Sequence, residues 1–235
     1  GMMTPEQSRL LLTPEVRRTV EEQIGRDPAA IALDKRIPHA ALVATQVKYL
    51  ARARTKLPSY YAARCILPPL AFEQASSEAG AARMSCSGER VLDLTCGLGG
   101  DALYLSKRFR EVITLEREAT LAAVAGENFR RLGATNIRVI NSSAEAFLAS
   151  TRDHFDWIYA DPDRRSAEGR KLVRLEDCSP DIPKLLPELR RIAPNLCVKN
   201  SPLFDVGETF RLFGPCRTEV VSLHDECKEV VVYAD

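Results

Sequence analysis

The chain has 235 residues, 45% hydrophobic and 28% charged, which suits one large domain or one domain with a smaller appendage. A core of that size needs neither disulfides nor structural metal. The net charge of +1 supplies no global argument for nucleic-acid or membrane binding.

Up to about residue 88 the pattern is helical. Thr4-Pro5, Thr13-Pro14 and Asp27-Pro28 each set a capping side chain before a proline at the first helical position, and Gln7 completes a capping box with Thr4. Ala40–Arg54 places Leu42, Val43, Val47 and Leu50 on one face. Pro58, Pro68 and Pro69 interrupt the path, a further helix is expected over Leu70–Ala82, and Ser85–Gly88 reads as a linker. From Glu89 strands and helices alternate. Strands are expected at Arg90–Leu94, Glu111–Leu115, Ile137–Ile140, Phe155–Ala160 and Leu196–Lys199. The helices between them are Asp101–Arg108, Ala119–Leu132, Ala144–Ser150 and Pro180–Ile192. Thr218–Leu223 and Glu229–Tyr233 read as a closing hairpin that adds one antiparallel strand. The expected architecture is α/β, with a mostly parallel seven-stranded sheet in residues 89–235 preceded by a helical region in residues 1–88.

Between the first strand and its helix lies Asp93-Leu94-Thr95-Cys96-Gly97-Leu98-Gly99-Gly100-Asp101. Glycines there permit positive φ and close approach of a ligand to the backbone, and open α/β sheets bind ligands at the carboxyl ends of their strands. The segment also satisfies the G-x-G-x-x-A dinucleotide pattern, and Glu116, ending the next strand, suits ribose hydroxyls in either case. Three features favour S-adenosylmethionine over a dinucleotide. Asp93 would serve an ammonium group but repel a pyrophosphate, Asp161-Pro162 closes the fourth strand where a methyl acceptor sits, and a terminal hairpin suits that sheet. Asp93 is also readable as a loop-bracing acid, and Glu116 as a solvated strand end. Ser143 and Ala144 fit an adenine-side loop, while Ser143 equally suits the cap of the helix it precedes.

The alternating half resembles the class I S-adenosylmethionine-dependent methyltransferases, with their Rossmann-like fold. Several blocks resemble more narrowly the bacterial family in which this domain precedes a THUMP-like domain. They are Lys56-Leu57-Pro58, Phe72–Glu78, Asp93–Asp101, Phe155–Arg165, Asp177–Ile182 and Glu226–Glu229. The resemblance implies S-adenosylmethionine as cofactor, an RNA substrate, and cofactor contacts from Gln74, Ser76 and Ser77 beside Asp93, Thr95, Cys96, Gly97, Gly99, Gly100, Asp101, Glu116, Ser143, Ala144 and Asp161. No THUMP-like domain follows Asp235, so that module is expected to be either cut off or lacking.

On the acceptor side, the Asp161 carboxylate and the Pro162 carbonyl can accept hydrogen bonds from an amine and so are the candidate catalytic groups. Amine methyltransferases commonly continue with proline and an aromatic; here Asp163-Arg164-Arg165 follows, which leaves nitrogen chemistry open. Arg164 and Arg165 are readable as phosphate or base contacts, or as braces of their own loop. Cys96, with no paired base, reads as packing rather than a nucleophile. Lys199-Asn200-Ser201-Pro202 suits either a substrate mouth or a strand exit. The clusters Arg52-Arg54-Lys56-Arg64 and Arg164–Arg174 are open to nucleic-acid contact or to ordinary solvated faces. An inactive cofactor-binding module and a small-molecule methyltransferase are the alternative functions.

Seven cysteines form no C-x-x-C pair and three histidines lie far apart, so no metal is expected. Free cysteines, no visible signal peptide and no apolar run near the roughly 20 residues of a membrane span give a cytoplasmic expectation. Gly1, ahead of Met2 and Met3, reads as a remnant of tag removal.

Overall fold

The protein, seen in a computed structural model, is described over residues 2–81, 86–162, 179–200, 217–224 and 227–233, the last two stretches by their backbone. The chain divides into two compact units. One holds residues 1–79, 97–100 and 118–135; the other holds residues 80–96, 101–117 and 136–235.

The helical unit contains α1 (Pro5–Leu12), α2 (Pro14–Gln23), α3 (Pro28–Leu33), α4 (Ala40–Lys56), α5 (Pro58–Ala62), α6 (Pro69–Gln74) and α9 (Ala119–Arg131). The local signals act as expected. Thr4 and Gln7 form a complete capping box, Thr13 accepts from the Val16 amide, and Asp27 accepts from the Ala29 amide. Along α4 the buried positions are Val43, Ala44, Gln46, Val47, Leu50 and Ala53, a helical stripe against which α2, α3 and α5 pack.

One expectation is sharpened here and one fails. Pro58 does not merely interrupt the chain; it opens the short helix α5, as proline at a first helical position can. The helix foreseen over Leu70–Ala82 is instead α6, a break, and α7 (Glu78–Ala81). Ala75 turns extended, and the two serines that follow favour such breaks because their hydroxyls compete for backbone groups. Glu78 is diverted to α5, where its carboxylate accepts from the Ser59 amide at 3.1 Å and the Ser59 hydroxyl at 2.9 Å.

Among the described residues no strand pairs with the segment after α5, yet its peptide groups are paired. Asn128, fully buried on α9, accepts from the Ile66 amide and donates to the Ile66 carbonyl, both at 2.8 Å. Gln46 does the same for Leu67, at 3.1 and 3.0 Å. Two carboxamides thus replace the ladder that a neighbouring strand would supply.

The sheet unit holds β1 (Gly88–Asp93), β2 (Phe109–Leu115), β3 (Ile137–Ile140), β4 (Trp157–Ala160) and β5 (Asn195–Asn200), all parallel, in the spatial order β3-β2-β1-β4-β5. The parallel part is therefore five strands wide. Beyond it β7 (Cys227–Tyr233) runs antiparallel to β5, and β6 (Arg217–His224) lies outermost, antiparallel to β7. Helices α10 (Ala144–Ser150) and α11 (Ile182–Ile192) cover one face. Their Leu148, Leu185 and Leu189 pack with Leu92, Ile113, Ile158 and Leu196 of the strands. Several boundaries differ from expectation: β1, β2, β5, β6 and β7 start one or two residues earlier, α8 (Gly100–Leu105) ends before the expected Arg108, and α11 and β4 start later. Helix α11 starts at Ile182 and not at Pro180, capped by Asp181, whose carboxylate accepts from the Lys184 amide. And β4 starts at Trp157, because Asp156 spends its carboxylate on the amides of Glu89 and Arg90.

Asn128→Ala is expected to leave both peptide groups of Ile66 buried and unpaired, at about 2–4 kcal/mol. Urea unfolding measures it; an unchanged midpoint would show that Asn128 does not hold that segment.

Candidate functional site

In the sheet order, β1 and β4 are neighbours from which successive strands run in opposite directions, β2 and β3 to one side and β5 to the other. Such a switch point leaves a crevice at the carboxyl ends of the two strands. The segment starting at Asp93 leaves β1 there, and Asp161 leaves β4 there.

The face of the sheet opposite α10 and α11 carries an unusual row. Thr114, Asp93, Tyr159 and Cys197 stand in register on four adjacent strands, and each is completely buried. Asp93 accepts from the Thr95 amide at 3.0 Å, the Thr95 hydroxyl at 3.3 Å and the Thr114 hydroxyl at 2.8 Å. Burial outweighs these bonds and pushes its carboxyl up to about 7. Asp93 has no exposed surface, and its carboxylate braces the start of the loop through Thr95.

Thr95 passes the constraint on. Its hydroxyl accepts from the Asp161 amide at 2.8 Å, which ties the exit of β4 to the exit of β1. Next to this tie stands a second polar group. The Tyr159 hydroxyl donates to Asp101 at 2.7 Å, and the Lys199 ammonium lies 3.6 Å from Asp101 and 4.0 Å from Asp161. The Lys199 and Asp101 side chains are 6% and 13% exposed, whereas Asp161 is 42% exposed, so of the three Asp161 faces outward. Burial, then the charges of Asp101 and Asp161, raise the Tyr159 phenol well above its ordinary range, which keeps it a donor. Asp101 is thus engaged by its own unit.

Thr114 and Tyr159 escaped the sequence reading. In an apolar strand one face looks like the other until the sheet is assembled. The available signal was period-two alternation, which puts Thr114 and Tyr159 on the same side as Asp93. Lys199 had been read only as mouth or exit; its place beside two carboxylates was not visible.

Glu116 ends β2 half-buried, its amide and carbonyl tied to Ile140 and Ser142. Ser143 uses its hydroxyl to cap α10, accepting from the Ala146 amide at 3.1 Å, and Ala144 is buried behind it. Cys96 is buried, and burial drives its thiol far above the ordinary range, so packing is its observed role. Pro162 is buried beside Asp161. Arg164, Arg165 and Asp163 lie outside the described residues.

Within the helical unit, Gly97, Gly99 and Gly100 have different grounds for being glycine. Gly97 sits at φ 55° with open space around a notional Cβ, and Gly100 also has open space. Gly99 sits at φ 96°, and a Cβ there would lie 2.5 Å from the Phe129 ring. Tyr60 closes the same spot, donating to the Leu98 carbonyl at 3.1 Å. Gly97 and Gly100 therefore have open space where a Cβ would stand, while Gly99 makes room for the protein. Gln74, Ser76 and Ser77 are exposed in the stretch that ends α6 and leads to α7. Among the described residues no cluster of three or more His, Cys, Asp or Glu is placed to hold a metal ion, and no helix is long and apolar enough to cross a membrane.

Residues 91–168 match the family described as "Methyltransferase domain". Over those residues the sequence is similar to that family's domain. Its curated relatives include the 23S rRNA (uracil(1939)-C(5))-methyltransferase RlmD of Stenotrophomonas maltophilia, 43% identical over 82 residues, which are 34% of this chain and 18% of that protein. Ribosomal RNA small subunit methyltransferase J of Coxiella burnetii is 31% identical over 127 residues, 48% of this chain and 50% of that protein. A solved structure from Porphyromonas gingivalis W83, provisionally assigned as a methyltransferase, superposes over the whole chain with a TM-score of 0.81 and 25% identity, and this chain covers 59% of it. The chain thus spans half or less of these two curated relatives. The domain's match begins in β1 and takes in the glycine segment, Glu116 and Asp161. S-adenosylmethionine is the cofactor that goes with such a domain, and the residues present fit it. A half-buried acid just past the end of β2 suits ribose hydroxyls, and separately, in the other unit, two glycines have open space where a Cβ would stand.

Two predictions follow from the loop. A buried carboxyl titrating near 7, against about 4 unfolded, binds its proton in the folded state through that window, so stability falls as pH rises from about 4 to about 7. Asp93→Asn, near-isosteric, is expected to lose this component. Urea unfolding of both proteins at pH 5 and pH 8 should show wild type falling relative to the variant; parallel behaviour would place the Asp93 carboxyl elsewhere. Gly99→Ala is expected to cost about 1–3 kcal/mol from overpacking and strain, and Gly100→Ala less than about 1 kcal/mol, read by thermal melts.

Proposed function

We propose that the protein is an S-adenosylmethionine-dependent methyltransferase acting on RNA, with a helical region at residues 1–88 and the cofactor-binding domain at residues 89–235. The observation that carries this reading is the Thr95 tie. It fixes the exits of β1 and β4 together at the switch point, where a methyl donor held by one and an acceptor held by the other would meet. The ribosomal RNA methyltransferases among the relatives support RNA as the acceptor class.

When bound, S-adenosylmethionine supplies a methyl group on a sulfonium, already a good electrophile, so the protein's task is mostly orientation and exclusion of water. Gly97 and Gly100 present backbone to the donor and Glu116 accepts from its ribose hydroxyls. Ser143 and Ala144 flank the adenine side, and Gln74, Ser76 and Ser77 contact the methionine end. Asp93, Thr95, Cys96, Gly99 and Asp101 serve the cofactor indirectly, by holding the loop in shape. At the acceptor, the Asp161 carboxylate and the Pro162 carbonyl take hydrogen bonds from the nucleophile and aim its lone pair. Lys199 lies close enough to Asp101 and Asp161 to offset the repulsion of two neighbouring carboxylates. Arg164 and Arg165 are placed at the substrate by sequence alone.

Labelled S-adenosylmethionine, incubated with the protein and total RNA from a strain lacking its gene, is expected to label one RNA species. Glu116→Ala should weaken cofactor binding about tenfold or more in calorimetry, as removal of a charged hydrogen-bond acceptor does. Asp161→Asn should leave that binding within about threefold while abolishing transfer. Tight cofactor binding with no label in RNA, protein or small-molecule extract would leave only the inactive binding module.

A further inference from the structure

The helical unit contains a cleft of about 20 Å³, room for one oxygen-sized group. Its lining includes Arg17, Arg64 and Arg131 against a single carboxylate, Glu21. That carboxylate is already taken, since Arg64 donates to it from Nε at 2.8 Å. Arg131 is the unusual member. Its side chain is 5% exposed, one terminal nitrogen donates to the Arg64 carbonyl at 2.7 Å, and its Nε is buried with no hydrogen-bond partner. The acid next to it on α9, Glu127, stands 3.9 Å from that Nε and is held instead by Arg130, whose Nε donates to it at 2.5 Å. Arg17 is exposed and makes no ion pair among the described residues. Burial, and after it the positive charge of Arg17, hold the Arg131 guanidinium below its ordinary pKa, against the opposing pull of Glu127.

A water molecule in the cleft would pair the Nε but leave Arg17 without a counter-charge, in a lining of three guanidinium groups and one carboxylate. An oxyanion would meet both needs, and planar guanidinium forks match its geometry. We propose that this cleft binds a phosphate group, one oxygen entering to accept from Arg131 Nε while the others face Arg17. Either an RNA backbone phosphodiester or free phosphate supplies this chemistry. The site involves no residue of the methyl-transfer reading and stands or falls without it.

Thermal melts of the full chain, titrated with inorganic phosphate against sodium chloride at equal ionic strength, test the site. Wild type is expected to show a saturable rise specific to phosphate. Arg17→Glu and Arg131→Lys should each weaken the apparent affinity about tenfold, the second while keeping its charge. Arg110→Glu, an exposed arginine of the sheet unit, controls for net charge and should leave the affinity as in wild type. If phosphate acts no differently from chloride, or Arg17→Glu and wild type respond alike, the cleft holds water only and the proposal is overturned. Should Arg131→Lys fail to fold, the comparison of Arg17→Glu with Arg110→Glu decides. A short single-stranded oligouridylate then separates the sources. Binding that both phosphate and Arg17→Glu weaken assigns the site to RNA. An oligonucleotide indifferent to both, with phosphate still stabilising, assigns it to the free ion.

Discussion

A buried carboxyl group organises the carboxyl ends of the parallel strands. Asp93 has no exposed surface and gathers three donors, two from Thr95 and one from Thr114. Burying an acid is costly unless its oxygens are paired, so the arrangement tolerates little displacement of either threonine. Thr95, once held, fixes Asp161 through its amide, and the exit of β4 cannot drift from that of β1. Neither residue has to touch a ligand for the site to depend on it.

What was legible in the sequence was mostly what is local. The caps at Thr4, Thr13, Asp27 and Ser143 act within three residues of themselves, and their neighbours in the chain announce them. The parallel strands were also legible, because apolar runs bounded by turns leave few alternatives. The failures share a cause. Asn128 meets Ile66 across 62 positions and Gln46 meets Leu67 across 21, so nothing near either amide hints at its partner. Lys199 and Asp101 are likewise far apart in the chain. For Asp93, full burial and the bond from Thr114, 21 positions away, are features that no local motif encodes.

The two units solve the same problem with different chemistry. In the sheet unit, backbone groups pair with backbone and the buried side-chain polarity gathers on one face near the carboxyl ends of the strands. In the helical unit, the extended stretch at Ile66 and Leu67 takes its pairing from carboxamides, each offering a donor and an acceptor at once. A carboxylate or an amine at either position would satisfy only half of the peptide group it faces.

The contrast among the three glycines bears on how such loops change over evolutionary time. Gly99 is required by the ring of Phe129 and by its own positive φ, both properties of the folded chain. A descendant that no longer used a methyl donor would still be selected to keep it, as long as Phe129 stayed. Gly100, with open space around it, is under no such internal compulsion. Retention of Gly99 in a divergent sequence therefore records packing, and erosion at Gly100 is where a lost ligand would first leave its trace.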